Sequence, residues 1–231
     1  MSKNRLFTAV RKLDVNTVKT LLEEKPALRE AKDPQGRNLL HLACAANADD
    51  AGAPESRGVR LVELLIEQGF DPKPMFVTPS GKASSSVNAV WFAATWGKNA
   101  SVMKLLVGRG AKPLGLFAAS YQEDIGTLKL LLKLGANIDE VAEDETPLLH
   151  TVKWRRLKAA EFLIKAGADL NFQDKKRRTA LHVALDNDYD PDFVRLLVKN
   201  GASRQATDGK GVSAELKASR KQNKAYAAAL R

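Results

Sequence analysis

Apolar triplets recur along the chain, each closing a stretch of helical periodicity and each followed at a constant distance by glycine. The triplets are Leu64-Leu65-Ile66, Leu105-Leu106-Val107, Leu130-Leu131-Leu132, Phe162-Leu163-Ile164 and Leu196-Leu197-Val198. Gly69, Gly110, Gly135, Gly167 and Gly201 stand three residues after them. Ahead of the glycine, apolar residues are three or four apart, as in Val59, Val62, Leu65 and Ile66 or Val102, Leu105 and Leu106. That spacing places them on one face of a helix. A glycine just beyond predicts where the helix stops, because it enters the left-handed conformation of a C-cap without steric cost. Upstream, Thr146-Pro147 and Thr179-Ala180 predict helix starts, with threonine as N-cap and proline at the first helical position. The repeating unit is therefore a pair of short antiparallel helices. Neither helix can bury its apolar face alone, and stacking of units supplies the burial.

The five glycines are 41, 25, 32 and 34 residues apart, and the first two intervals sum to 66, twice 33. An insertion in one unit is thus cancelled by a deletion in the next. Asn47 to Gly58, rich in Ala, Asp, Gly, Pro and Ser, predicts a lengthened and mobile link between two helices. Lys73 to Ser86 predicts a long finger loop. Lys112-Pro113 leads almost directly into Leu114, so the following finger is nearly missing.

Asn38-Leu39-Leu40-His41-Leu42-Ala43 and Thr179-Ala180-Leu181-His182-Val183-Ala184 match the Thr-Pro-Leu-His-x-Ala motif, and Thr146-Pro147-Leu148-Leu149-His150 is a variant with histidine displaced by one. Gly135-Ala136-Asn137-Ile138-Asp139 and Gly167-Ala168-Asp169-Leu170-Asn171 match Gly-Ala-Asp-x-Asn. On these residues the chain resembles the ankyrin-repeat family. The resemblance implies an all-α solenoid of stacked antiparallel helix pairs with finger loops, forming a single domain over 1–231. Residues 1–32 read as an N-terminal cap. Internal repeats follow at 33–72, 73–112, 113–139, 140–171 and 172–205, and 206–231 read as a C-terminal cap. It also implies that His41 and His182 hydrogen-bond backbone between neighbouring repeats.

The remaining composition argues against catalysis. Three histidines leave little from which to build an active site, and none has another His or a Cys at metal-ligand spacing. The single cysteine, Cys44, excludes a disulfide framework and reads as a buried, inert thiol on the small-residue face. Asp186, Asp188 and Asp190 alternate like the start of a calcium loop, but Pro191 stands where glycine is needed and Leu197 where the bidentate glutamate belongs. Gly81-Lys82 has Phe76 where a phosphate-binding loop requires its first glycine. No cofactor and no metal are expected. No apolar run approaches 18 residues, so no membrane span is expected, and residues 1–10 lack the apolar core of a signal peptide. Location in the cytoplasm follows as an expectation, with periplasm or secretion the alternative if a leader was removed.

The 37 Lys and Arg against 27 Asp and Glu leave a formal charge of +10. Nucleic acid or an acidic surface becomes a possible partner. The charges fall in blocks: Asp139 to Glu145 in one finger, Lys175 to Arg178 in the next; Lys153 to Lys158 at one helix–helix turn, Asp186 to Asp192 at the next. Stacking would set each block against its opposite, leaving the excess on residues 1–30 and 208–231. Neither end interleaves the aromatics on which bases stack, so nucleic acid is a weak alternative.

The family resemblance places partner contacts at the finger tips and on the exposed face of the first helix, including the residues after its Ala-Ala pair. Those positions read Ala46, Trp96, Tyr121, Trp154 and Asn187, an aromatic in three consecutive repeats. Three such side chains could cover roughly 450–750 Å². Trp96, Tyr121 and Trp154, flanked by Arg155 and Arg156, are therefore the candidate binding residues. Phe76 joins them because it lies between Pro74 and Pro79 with no obvious core, and Lys175, Lys176, Arg177 and Arg178 as a basic finger tip. The sequence thus predicts a non-enzymatic, monomeric binding protein that grips one folded partner. With no output domain in view, occluding an enzyme in the manner of an inhibitor or immunity protein is the more specific expectation.

Overall fold

The helices form in consecutive pairs, described in a computed structural model that covers residues 2–77, 86–221 and 224–231. Residues 78–85, which hold Pro79 and the Gly81-Lys82 pair, lie outside the described residues. The pairs are α1 (Ser2–Arg11) with α2 (Val15–Glu24), α3 (Leu39–Ala45) with α4 (Glu55–Glu67), and α5 (Ala89–Phe92) with α6 (Ala100–Gly108). They continue with α7 (Leu116–Tyr121) and α8 (Ile125–Lys133), α9 (Pro147–Lys153) and α10 (Leu157–Lys165). The last are α11 (Ala180–Asp186) with α12 (Pro191–Lys199) and α13 (Ala214–Arg220) with α14 (Lys224–Ala229). A two-stranded hairpin, β1 (Phe76–Val77) against β2 (Ser86–Val87), forms the base of the long finger, with Phe76 opposite Val87.

The chain packs as two compact units, Met1–Gly115 with Lys129–Ala136, and Leu116–Leu128 with Asn137–Arg231. In the first, α3 packs on α1 and α5 while α4 packs on α2 and α6, with Leu6, Leu22, Leu39, Leu61 and Leu65 buried between them. In the second, α9 packs on α7 and α11, and α11 on α13, around Leu148, Val152, Leu163, Leu181 and Leu197. The unit-two core ends in two tyrosines. Tyr189 is buried and donates its hydroxyl to the Val152 carbonyl, and Tyr226 donates to the Tyr189 carbonyl at 2.7 Å.

Both predicted helix boundaries are present. Thr146 caps α9 by accepting the Leu149 amide at 3.3 Å, and Thr179 is the N-cap of α11. The five glycines after the triplets all have positive φ, between 87° and 101°. A second left-handed position was not legible. Leu13, Lys98, Glu123, Arg155 and Asp188, none of them glycine, also have positive φ at the turn between the paired helices. The residue after each donates its amide back to the helix it has just left, as Asp124 does to Ala119 and Tyr189 to Ala184. This closes the helix end in a Schellman-type turn.

His182 behaves as the family resemblance implies. Its Nε2 lies 3.1 Å from the Val212 carbonyl, while Nδ1 receives the Thr179 amide at 3.3 Å. The acceptor role of Nδ1 leaves the proton on Nε2, which donates to the next finger. Two expectations are corrected. Asn47 to Gly58 is no open loop: residues 47–53 fold into hydrogen-bonded turns, Ala48 is buried, and α4 already begins at Glu55. Phe76 does have a core to join, because the hairpin folds it onto the rings of His41 and Phe92, 5.0 and 5.9 Å away.

α5 is extended by a π-helical turn, Ala93–Gly97. From N-cap to left-handed residue the first helix of this repeat runs from Asn88 to Lys98, ten positions, against nine from Thr146 to Arg155 or Thr179 to Asp188. The extra residue is absorbed as a wider turn. Gly97 ends that turn directly against the α3 C-terminus, where an added Cβ would stand 2.1 Å from the Cys44 carbonyl oxygen. Only glycine fits. Gly97→Ala should therefore destabilise the protein by about 1–3 kcal/mol, read as a lower melting temperature by circular dichroism. Gly108→Ala, with nothing within 4 Å of the added methyl, should leave the melt unchanged or raise it. Equal effects of the two would contradict the close approach.

Candidate protein-binding surface

Tyr121 ends α7 and Trp154 caps α9, so both emerge where their helix turns back, and both remain about half exposed, at 45% and 52%. Their rings lie 6.1 Å apart and nearly perpendicular, an edge-to-face geometry that suits aromatic quadrupoles. His150 sits 6.2 Å from Tyr121 and 6.1 Å from Trp154, and Phe117 backs His150 edge-on at 5.5 Å. The Arg156 guanidinium covers Tyr121 at 4.3 Å, a cation–π contact. Its buried Nε has no hydrogen-bond partner among the described residues. Glu145 ties the underside together by accepting from His150 Nδ1 at 3.1 Å and from Lys153.

Trp96 is exposed to 44% in the first unit. It leans on Trp91 at 5.1 Å and Phe92 at 5.4 Å, with Arg37 5.7 Å over its ring. The three aromatics do not share one register. Counted from the left-handed residue, Trp96 and Tyr121 stand two positions before Lys98 and Glu123, whereas Trp154 stands one before Arg155. Counted from the N-caps Asn88 and Thr146, Trp96 and Trp154 both stand eight positions on, so the offset between these two is the extra residue of the π turn.

The candidate cations divide by what they already hold. Arg155 donates to the Asn187 carbonyl at 3.0 Å and lies 4.5 Å over Tyr189, fastening its turn to the next. Arg178 grips Asp174 with two nitrogens at 2.9 and 2.7 Å. Asp174 Oδ1 also accepts the Lys176 and Arg178 amides, and burial against it is outweighed by these bonds, which hold its carboxyl below the usual range. Asp33 does the same with Arg37, and Asp208 receives the Lys210 and Val212 amides. These aspartates shape the fingers, and the shared Asp-to-Arg spacing of four at 33/37 and 174/178 was the signal available for two of them. Lys175 reaches Asp144 at 2.5 Å, while Lys176 and Arg177 are exposed.

Only part of the expected charge alternation forms. Lys175 with Asp144 joins successive fingers, but the acidic turn after α11 pairs onward rather than back toward Lys153 to Lys158. Asp186 takes Lys217 at 2.6 Å and Asp188 takes Lys221. Lys217 of α13 and Lys221 just after it are therefore engaged by this acidic turn, because α13 packs on α11 and brings their side chains there. Cys44 is buried, and burial pushes its thiol far up. Among the described residues no cluster of three or more His, Cys, Asp or Glu is arranged to hold a metal, and no helix is long and apolar enough to cross a membrane.

The family model for ankyrin repeats, in three copies, matches residues 116–208. The fold of the whole chain is similar to that of the ankyrin repeat domain of Bcl-3, with a TM-score of 0.71, 23% identity and 92% of each chain covered. It is also similar to the human ASB11 ankyrin repeat domain, with a TM-score of 0.65, 21% identity and coverage of 90% and 89%. Residues 116–208 thus match the ankyrin-repeat family, whose repeats are protein–protein interaction modules, and the whole chain has the ankyrin-repeat fold. In sequence it is 38% identical over 93 residues to inversin of Gallus gallus, covering 38% of this chain and 8% of inversin. It is 40% identical over 55 residues to human protein phosphatase 1 regulatory subunit 27, covering 24% of this chain and 35% of that one. The chain thus spans less than a tenth of the inversins it matches.

Burial holds the His41 imidazole at a pKa of about 4, with Arg37 adding to the effect, and burial also lowers that of His182. A histidine whose folded pKa lies below its unfolded value near 6.5 takes up its proton more readily in the unfolded chain, so stability falls as pH drops through 6.5 toward 4. Denaturant unfolding at pH 5 should show a loss on the order of 2 kcal/mol from His41 relative to pH 7. His41→Phe should flatten that dependence; a wild-type curve already flat between pH 7 and 5 would refute the assignment.

Proposed function

We propose that this protein binds a folded protein partner through the aromatic helix ends Trp96, Tyr121 and Trp154, with Lys153 and Arg156 alongside. The observation that carries this is the state of Tyr121 and Trp154. They are held by each other, His150 and Arg156, yet stay about half exposed. Large rings already ordered lose little rotamer entropy on binding, and Trp, Tyr and Arg dominate interface hot spots. The π turn that contains Trp96 adds support, since such turns gather at functional sites. A core role for the rings would bury them.

The finer reading is that the partner is an enzyme whose activity this protein blocks or adjusts. Similarity to a relative named as a regulatory subunit of protein phosphatase 1 supports it. The exposed finger residue Arg177 would then add to the charge that the partner meets.

Trp96→Ala/Tyr121→Ala/Trp154→Ala should weaken capture of the partner in a pull-down at least about thirtyfold, as loss of even one hot spot would, with the helical circular-dichroism signal retained. Capture at wild-type strength would defeat the proposal, and loss of helical signal would assign the rings to stability instead. Adding the intact protein to a captured enzyme should lower or alter its turnover. Unchanged turnover would make it an adaptor.

A further inference from the structure

Away from the aromatic edge, the second unit contains a cleft walled by the Asp174–Arg178 finger turn, the Asp208–Val212 finger turn and α13. The two turns are fastened together. The Gly209 amide donates to the Lys176 carbonyl at 2.8 Å, and a Cβ at 209 would stand 3.0 Å from that oxygen. Six cationic side chains line the cleft against two carboxylates, Asp186 and Asp208.

Three of the six are already engaged. Lys217 bridges both carboxylates, at 2.6 Å to Asp186 and 3.4 Å to Asp208. Arg178 is taken by Asp174 and Lys221 by Asp188. These pairs neutralise the floor. Lys176, Lys210 and Arg220 are left exposed, one on each wall of the cleft and none paired among the described residues. An anionic ligand relieves the mutual repulsion of three like charges that line one cleft.

We propose that this cleft is a second binding site, independent of the aromatic surface, and that it takes an acidic peptide segment, a run of Asp and Glu in a protein partner. The cations that remain free sit on three separate elements, which matches charge distributed along a chain. Among the described residues Val212 is the one apolar residue in the lining and no aromatic ring is among it, so nucleotide bases have nothing there to stack on. The engaged cations are not part of the claim, because each already satisfies a carboxylate.

The test is fluorescence anisotropy of the full chain with a fluorescein-labelled peptide of alternating Asp and Glu. Wild-type protein should bind saturably, and more weakly as salt rises from ~50 to ~200 mM, because screening shortens the reach of the charges. Lys176→Glu/Lys210→Glu/Arg220→Glu should lose about tenfold or more in affinity, whereas Lys104→Glu/Lys129→Glu/Lys165→Glu, exposed helix lysines carrying the same change in net charge, should stay within about threefold. Lys176→Ala/Lys210→Ala/Arg220→Ala, measured alongside, should also weaken binding and keeps the test open if the reversed charges impair folding. Equal loss in the two glutamate variants would reduce the effect to net charge and overturn the site. No saturable binding by wild type would overturn it as well. Tighter binding of single-stranded DNA through the same three residues would make it a nucleic-acid site instead.

Discussion

Helices this short do not hold themselves together in water. α7 and α14 are six residues long, and even α4, the longest, has thirteen, near the length at which an isolated helix is marginal. Their stability comes from burying an apolar face against the next pair, so the stack is the precondition for every element in it. That dependence accounts for the buried leucines repeated from α1 through α12. It also accounts for the polar links between neighbours, such as His182 to Val212, Gly209 to Lys176 and Arg155 to Asn187. Within a unit, each repeat is completed by the one beside it.

The same arrangement produces exposure where it is useful. A helix that must turn back after seven residues presents its last side chains outside the packed layer, whatever they are. In α11 these are Asp186 and Asn187. In α7 and α9 they are Tyr121 and Trp154, whose rings meet across the repeats. The stack positions them and charges nothing for their identity, which leaves those sites open to selection for binding. Fingers follow the same logic: an aspartate at the start of the turn satisfies the backbone amides, and the tip is left to carry Lys176 or Lys210.

Much of this was legible in the residues. The triplet-glycine spacing located the second helices, and the Thr-Ala-Leu-His motif located the start of α11 and the role of His182. Both depend on local backbone chemistry: a left-handed residue for which glycine pays no Cβ penalty, and a side chain bonding to amides three residues away. The aromatic candidates were legible as residue types at the ends of first helices. The offset of Trp154 from its left-handed residue was not, because it appears only once that residue of each turn is placed, and those residues are Lys, Glu and Arg rather than glycine. Phe76 was read as unpartnered because the hairpin that turns it onto His41 and Phe92 brings together segments far apart in the chain.

The sequence alone therefore determined the two helices of the repeat and where they start and stop, since each follows from residues within a few positions of one another. Only the tertiary structure decided which charges meet. Asp186 and Asp188 stand opposite in sign to the bases of the preceding turn, but α13 packs on α11 and brings Lys217 and Lys221 to them. It likewise decided that Arg178 serves its own finger while Lys176, two positions away, faces solvent. Coulomb attraction at a wet surface is weak and is largely screened beyond about 10 Å. Partner choice is therefore set by the distances that packing imposes, and a list of charges along a chain does not contain them.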